Sequence, residues 1–380
     1  MLRVLTINAG SSSLKAAAFN LDEHNETRLW HGNLDCTDHL QACQALLSEL
    51  SEKYPTWHPD AIGHRVVHGG TRFAAPTPLN ADVMQAIAEL TSLAPLHQPA
   101  NLAGIHAAQQ LFPQLPQFAC FDTAFHRGRD FIHEAYALPR IYYEQGIRRY
   151  GFHGLSYQFI CDELQKSHPR LYEGKVVICH LGSGASMSAV SGGRCIETTM
   201  GFTPTDGLVM GTRTGQIDPG VLLHLIDHEK LSSAELLKLL TKKSGLLGVS
   251  NDFSSDMRKL LDSNTSQSRE AIEMFVYRCQ FFIGALAAAM QGIDGLIFTG
   301  GIGEHAHTIR ENISSGLKWL GIEIDPSANL YHREQISTPS SRVIVLVQAT
   351  DEERTIARAV HELSKRNEPN CQKVFHSSNQ

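Results

Sequence analysis

Three segments of this 380-residue chain share one design, an apolar run that passes directly into glycine and hydroxyl residues. They are Asn8-Ala9-Gly10-Ser11-Ser12-Ser13-Leu14-Lys15, His180-Leu181-Gly182-Ser183-Gly184 and Thr299-Gly300-Gly301-Ile302-Gly303. Glycine permits positive φ and close backbone approach, so several N–H groups can point at one oxyanion. Around the first turn, Ser11, Ser13 and Lys15 add hydroxyl and ammonium donors. Taken alone that turn fits a plain hairpin as well as a phosphate cradle, because tight turns are rich in Gly and Ser anyway.

Charged groups beside glycines narrow the chemistry. Arg65 lies in His64-Arg65-Val66-Val67-His68-Gly69-Gly70, read as the start of an apolar strand ending in a glycine turn. Alternation puts Arg65 and Val67 on one face, where a guanidinium could hold a carboxylate beside a small apolar wall. Arg213 is the single arginine of the long turn-rich segment 198–219, and a loop of that length is costly unless it serves a task. A dimer contact is the competing account of that loop. Asp122 follows an apolar strand at 117–121, and Glu352 follows the apolar run 343–347, so both carboxylates could reach a nucleotide-associated Mg²⁺ through water. Acids are also favoured at helix N-termini, which explains at least two of Asp351, Glu352 and Glu353 without a metal. With 20 His in the chain, His153 and His180 stand out because each adjoins a glycine turn, while His305 and His307 read as helix-entry residues.

Those groups need strands to carry them. Hairpins are expected at 3–19 and 176–190, and helices at 82–93, 101–111, 155–166, 233–240, 268–291, 305–320 and 352–363. Strands interleaved with helices predict an α/β fold. The two similar hairpins predict two domains of related ancestry with a cleft between them, dividing near 123–129, and residues 364–380 read as a frayed tail. No Gly-x-x-x-x-Gly-Lys-Ser/Thr is present, and Gly182-Ser183-Gly184 lacks the third glycine of a dinucleotide fingerprint.

Composition sets the outer limits. Lys plus Arg number 33 against 39 Asp plus Glu, a net charge of −6, which argues against a nucleic-acid surface. The longest strongly apolar stretch, 281–290, is short of the ~20 residues of a membrane span and reads as buried helix, so no membrane partner is expected. Eight scattered cysteines form no Cys-x-x-Cys pair, and the N-terminus shows no secretory pattern, so a reducing, cytoplasmic compartment is expected.

Taken in order along the chain, these motifs resemble the acetate and propionate kinase family, of the superfamily shared by sugar kinases, actin and Hsp70 ATPases. Further matching segments are Ala94-Pro95-Leu96-His97, Phe121-Asp122-Thr123-Ala124-Phe125-His126, Tyr150-Gly151-Phe152-His153-Gly154 and Ser244-Gly245-Leu246-Leu247-Gly248. The resemblance implies two ribonuclease-H-like domains, 1–126 with 353–380 returning and a nucleotide-binding 127–352, in a homodimer. It implies reversible transfer of the ATP γ-phosphoryl to a short carboxylate, giving an acyl phosphate and ADP, with Mg²⁺ or alternatively Mn²⁺. By the same resemblance, Asn8, Ser11, Ser13 and Lys15 position phosphate and metal, and Arg65 and Arg213 take the carboxylate and the phosphoryl in flight. Asp122 and Glu352 fall at the metal, His153 and His180 at the transferring group. Val67, Leu96, Phe152 and Pro204 match an acetate pocket; His180, Leu181, Gly182, Ser183 and Gly184 meet the nucleotide, and Gly301, Ile302 and Gly303 lie by its adenosine. The chain departs from the family at Gln98, Leu155, Tyr157, Ser183 and Asp351; the family usually has His at Tyr157 and Asn at Ser183. Propionate or butyrate as acceptor is the alternative, and an actin- or Hsp70-like ATPase without an acceptor is a reading of another class.

Overall fold

The computed structural model describes residues 1–95 and 97–367. The chain forms two compact units, Met1–Phe121 with the segment from Glu352 onward, and Asp122–Asp351. The first division falls at the end of a strand, a few residues before the His126 boundary expected from sequence.

In the first unit, β1 (Leu2–Ala9), β2 (Ser13–Leu21), β3 (Glu26–Asp35), β4 (Ala61–Val66), β5 (Thr77–Pro78) and β6 (Gln117–Phe121) form a sheet ordered β3-β2-β1-β4-β6-β5. β1, β2 and β3 are antiparallel, while β4 and β6 run parallel to β1. Val4, Leu5 and Ile7 of β1 are buried although they alternate in direction, because helices cover both faces. Helices His39–Lys53 and Gln98–Leu111 close one apolar cluster, with Leu46 and Ala108 against Leu5, Ile7 and Leu14. Helix Glu352–Asn367 packs against β1, β2 and β4. A Cβ on Gly63 would lie 2.4 Å from Ile356 Cγ2, so this glycine in β4 makes room for the helix. Glu26 ties the same helix down through Arg354, at 3.0 Å, and Arg358.

The second unit repeats the plan. β7 (Lys175–Leu181), β8 (Ala185–Ser191), β9 (Arg194–Thr198), β10 (Gly295–Thr299) and β11 (Ile344–Val347) are ordered β11-β10-β7-β8-β9. Again three strands are antiparallel, and β10 and β11 continue in parallel on the other side of the first. Helix Gly154–Ser167 buries Tyr157, Ile160 and Leu164 against Ile178 and Ile297.

Several expectations are corrected. β4 starts at Ala61, so Arg65 sits near its end rather than its start; the parallel register with β1 recruits Ala61 and Ile62 first. The helix expected over 305–320 breaks at Ala306 into Gly300–His305 and His307–Ser315, so His305 ends one helix and His307 begins the next. Residues 364–367 continue the last helix instead of fraying, and the rest of that tail lies outside the described residues. Helix Ser266–Ala289 has 24 residues and is, by length and composition, apolar enough to cross a membrane, which the stretch 281–290 alone does not suggest. Here it packs on β7, β8 and β9, burying Ala271, Phe275, Cys279, Ile283 and Leu286 at helical spacing. Cysteines 43, 120, 161, 179, 195 and 279 are buried free thiols, and Cys36 is half-buried.

Candidate active site

In the first unit the strand register gathers the expected residues on one face. Asn8 pairs with Lys15 across β1 and β2, and Ile7 pairs with His64, which brings Arg65 alongside Asn8. Arg65 Nη1 lies 3.5 Å from Asn8 Oδ1 and 3.5 Å from Glu352 Oε2. Arg65 and Glu352 keep 20% and 15% of their side-chain surface, so the pair is largely shielded but reachable. The turn itself closes through Gly10 N donating to Ser13 O at 2.8 Å. Ser11 and Lys15 are exposed beside it, and Ser13 is half-buried.

Val67 is held by a residue sequence reasoning passed over. Asn101 Oδ1 accepts from Val67 N at 2.9 Å, and its Nδ2 donates to Ala9 O at 2.7 Å, clamping the ends of β4 and β1 together. A polar side chain in the buried stripe Asn101, Gly104, Ile105, Ala108 is the sequence signal for it. Gln98 is also buried and donates to His68 O at 3.0 Å, fixing the turn after Val67. Leu96 lies outside the described residues.

In the second unit the groups converge on the β7–β8 turn. A Cβ placed on Gly184 would lie 3.4 Å from His153 Nε2 and 3.6 Å from Arg213 Nη1, and one on Gly182 would lie 3.9 Å from His180 Nε2. Both imidazoles therefore present Nε2 to the glycine turn, with their rings stacked at 4.3 Å. Each Nδ1 is met by a serine: Ser186 Oγ at 2.9 Å for His153, Ser156 Oγ at 2.8 Å for His180. Neither serine was singled out from sequence.

Backbone features hold these groups in place. His153 adopts φ 56°, a left-handed conformation that turns the chain into helix Gly154–Ser167. A Cβ on Gly154 would meet Asp122 O at 2.2 Å, and Gly154 N instead donates to that carbonyl at 2.8 Å. Asp122 is itself buried, and Phe152 is buried with its carbonyl accepting from His126 Nε2 at 2.9 Å. Arg213 Nη1 donates to Pro204 O at 2.9 Å, and its loop rests on Gly245, whose φ of 65° and close approach to Met210 O exclude a side chain. Ser183 O accepts from Gly211 N at 2.9 Å, joining the glycine turn to the same loop.

The third turn adjoins the second because β10 pairs with β7, Thr299 opposite His180, and Gly300 packs on the Leu181 backbone. Glu304 Oε1 accepts from Gly300 N at 2.9 Å. Gly301 faces open space, Ile302 is half-buried and Gly303 is buried. Beneath them Arg310 is fully buried, donating to Gly303 O and Glu304 O at 2.8 Å each and to Asn329. Burial pulls its guanidinium down to about 10.

Paired β-sheets of this order, each carrying a glycine turn after its first strand, define a two-domain actin-like ATPase fold. The acetokinase family pattern matches residues 30–358, and the chain belongs to that family. The acetate kinase of Methylocella silvestris is 42% identical over 93% of this chain and 96% of its own length. That of Rhodopseudomonas palustris (strain ATCC BAA-98 / CGA009) is 44% identical over 95% and 98%. Among solved structures, Porphyromonas gingivalis acetate kinase matches with a TM-score of 0.85 at 35% identity, covering 96% of this chain and 100% of that one. A propionate kinase from Francisella tularensis matches with a TM-score of 0.87 at 37% identity, covering 94% and 99%.

Proposed function

We propose that this chain reversibly transfers the γ-phosphoryl group of ATP to acetate, giving acetyl phosphate and ADP. A carboxylate oxygen attacks phosphorus in line, the bond to the β–γ bridging oxygen breaks, and that oxygen leaves with ADP. The carboxylate is already ionised at neutral pH, so no strong base is needed; the barrier lies in bringing two anions together. The observation that carries the reading is the convergence of His153 Nε2, His180 Nε2 and Arg213 on the β7–β8 turn, a set of preorganised donors for equatorial phosphoryl oxygens. Arg65, beside Val67, takes the carboxylate. Arg213 takes the phosphoryl in flight, and Gly301, Ile302 and Gly303 border the nucleotide.

Asn8 Oδ1 and Glu352 Oε2 each lie 3.5 Å from Arg65 Nη1, and as oxygen ligands they would suit Mg²⁺ or Mn²⁺. A nucleotide-associated ion of this kind is held mostly by phosphate oxygens and water, and Asp122 would act on it through water. Such an ion supplies charge neutralisation for the phosphate chain. Cytoplasmic location belongs to the same reading, since the reaction draws on the ATP pool. So does a homodimer, supported by the exposed Tyr277, Phe281 and Trp319 of the second unit; light scattering behind size exclusion tests it.

Trapping acyl phosphate with hydroxylamine, using acetate, propionate and butyrate, tests the activity. Acetyl hydroxamate in the largest yield is expected. A propionyl product in excess would transfer the assignment to the longer acid, and ATP loss without hydroxamate would overturn it.

A further inference from the structure

Behind His153 runs a line of hydroxyls that phosphoryl transfer itself does not require. Tyr157 is fully buried, and its hydroxyl is hydrogen-bonded to Ser186 Oγ, its one hydrogen-bond partner among the described residues. Ser186 Oγ lies 2.9 Å from His153 Nδ1. We propose that Tyr157 is a positioning residue which, through Ser186, keeps His153 Nδ1 as an acceptor and its proton on Nε2, the nitrogen facing the glycine turn.

The direction of the relay follows from where each proton can go. A phenol is more acidic than an aliphatic alcohol and is the better donor. When Tyr157 donates to Ser186 Oγ, the serine proton is left to donate to Nδ1, and each bond polarises the next. In the reverse direction Nδ1–H donates to serine, serine donates to the phenol oxygen, and the phenol proton is enclosed with no acceptor among the described residues, which buried groups avoid. Burial raises the Tyr157 phenol well above its ordinary range, so it stays protonated at neutral pH. The tautomer matters because Nε2 comes within 3.4 Å of a Cβ position at Gly184. With a proton Nε2 donates to a phosphoryl oxygen; without one it turns a lone pair toward an anion.

The inference rests on His153 acting at the transferring group, and the test separates the two. It measures ¹⁵N shifts of His153 together with kcat and KM in the intact enzyme and in Tyr157→Phe, Ser186→Ala and the double variant. The native enzyme is expected to carry the His153 proton on Nε2. Tyr157→Phe is expected to move both ring nitrogens toward mixed tautomers and to lower kcat about 10-fold or more with little change in KM. The double variant should be no worse than Ser186→Ala. Loss of packing alone would not shift the nitrogens, and Ser186→Ala reads the same nitrogen if Tyr157→Phe fails to fold. Unaltered His153 shifts in both single variants would overturn the relay. Full activity in His153→Gln would instead overturn the role assigned to His153.

Discussion

The turn after β1 and the turn after β7 hold the same position in two sheets of one plan, yet their surroundings differ in kind. The first is flanked by three full charges and one amide: Lys15, Arg65, Glu352 and Asn8. Around the second stand two imidazoles, each backed by a serine, and an arginine already tied to a carbonyl. The same hairpin thus carries mainly charged side chains in one unit and serine-backed imidazoles in the other. Sheet topology fixes where such groups can stand, and the side chains decide which chemistry each turn performs.

The largest effects should come from removing the cation of either turn. Arg65→Ala and Arg213→Ala are each expected to lower kcat about 10³-fold or more, with Arg65→Ala also raising KM for the carboxylate; steady-state kinetics near wild type would erase the contrast. Next is Arg310, buried under the third turn with its donors on Gly303, Glu304 and Asn329. Arg310→Met strands those carbonyls and should cost about 3 kcal/mol or more in denaturant unfolding.

Acid should weaken both units. Burial holds His64 and His68 of the first at about 4 and His126 of the second at about 3, against an ordinary 6.5. Below about 6.5 the unfolded chain takes up protons that the folded one refuses, so stability falls with falling pH, by about 1.4 kcal/mol per unit for each histidine. Unfolding curves between pH 7 and 5 check this, and His64→Gln should flatten the slope. The smallest effect is expected at Glu26, which Arg358 and Arg354 hold down to about 2. The carboxylate is 26% exposed and screened by solvent, so Glu26→Gln should cost only about 1 kcal/mol. A larger loss would mean the last helix depends on that pair more than on Ile356 and Val360.

Much of this was legible in the chain. The hairpins and the strand Gln117–Phe121 stand out because apolar runs end in glycine or at a carboxylate. Ser233–Lys242 announces itself through the Ser232–Glu235 capping box. Helix His39–Lys53 was missed because its buried stripe, Ala42, Cys43, Leu46 and Leu50, is narrow and surrounded by Gln, Ser and Glu. The supporting shell was hidden for another reason: Ser186 reaches His153 from 33 residues away and Asn101 reaches Ala9 from 92, and no local pattern encodes such meetings.

The enclosed sulfurs allow one further use. Cys43 and Cys120 in the first unit, and Cys161, Cys179, Cys195 and Cys279 in the second, are kept protonated by burial. Alkylating agents can reach them only when the surrounding structure opens. The order in which these positions become labelled would therefore rank the two halves by how often each comes apart, with no residue engineered into the chain.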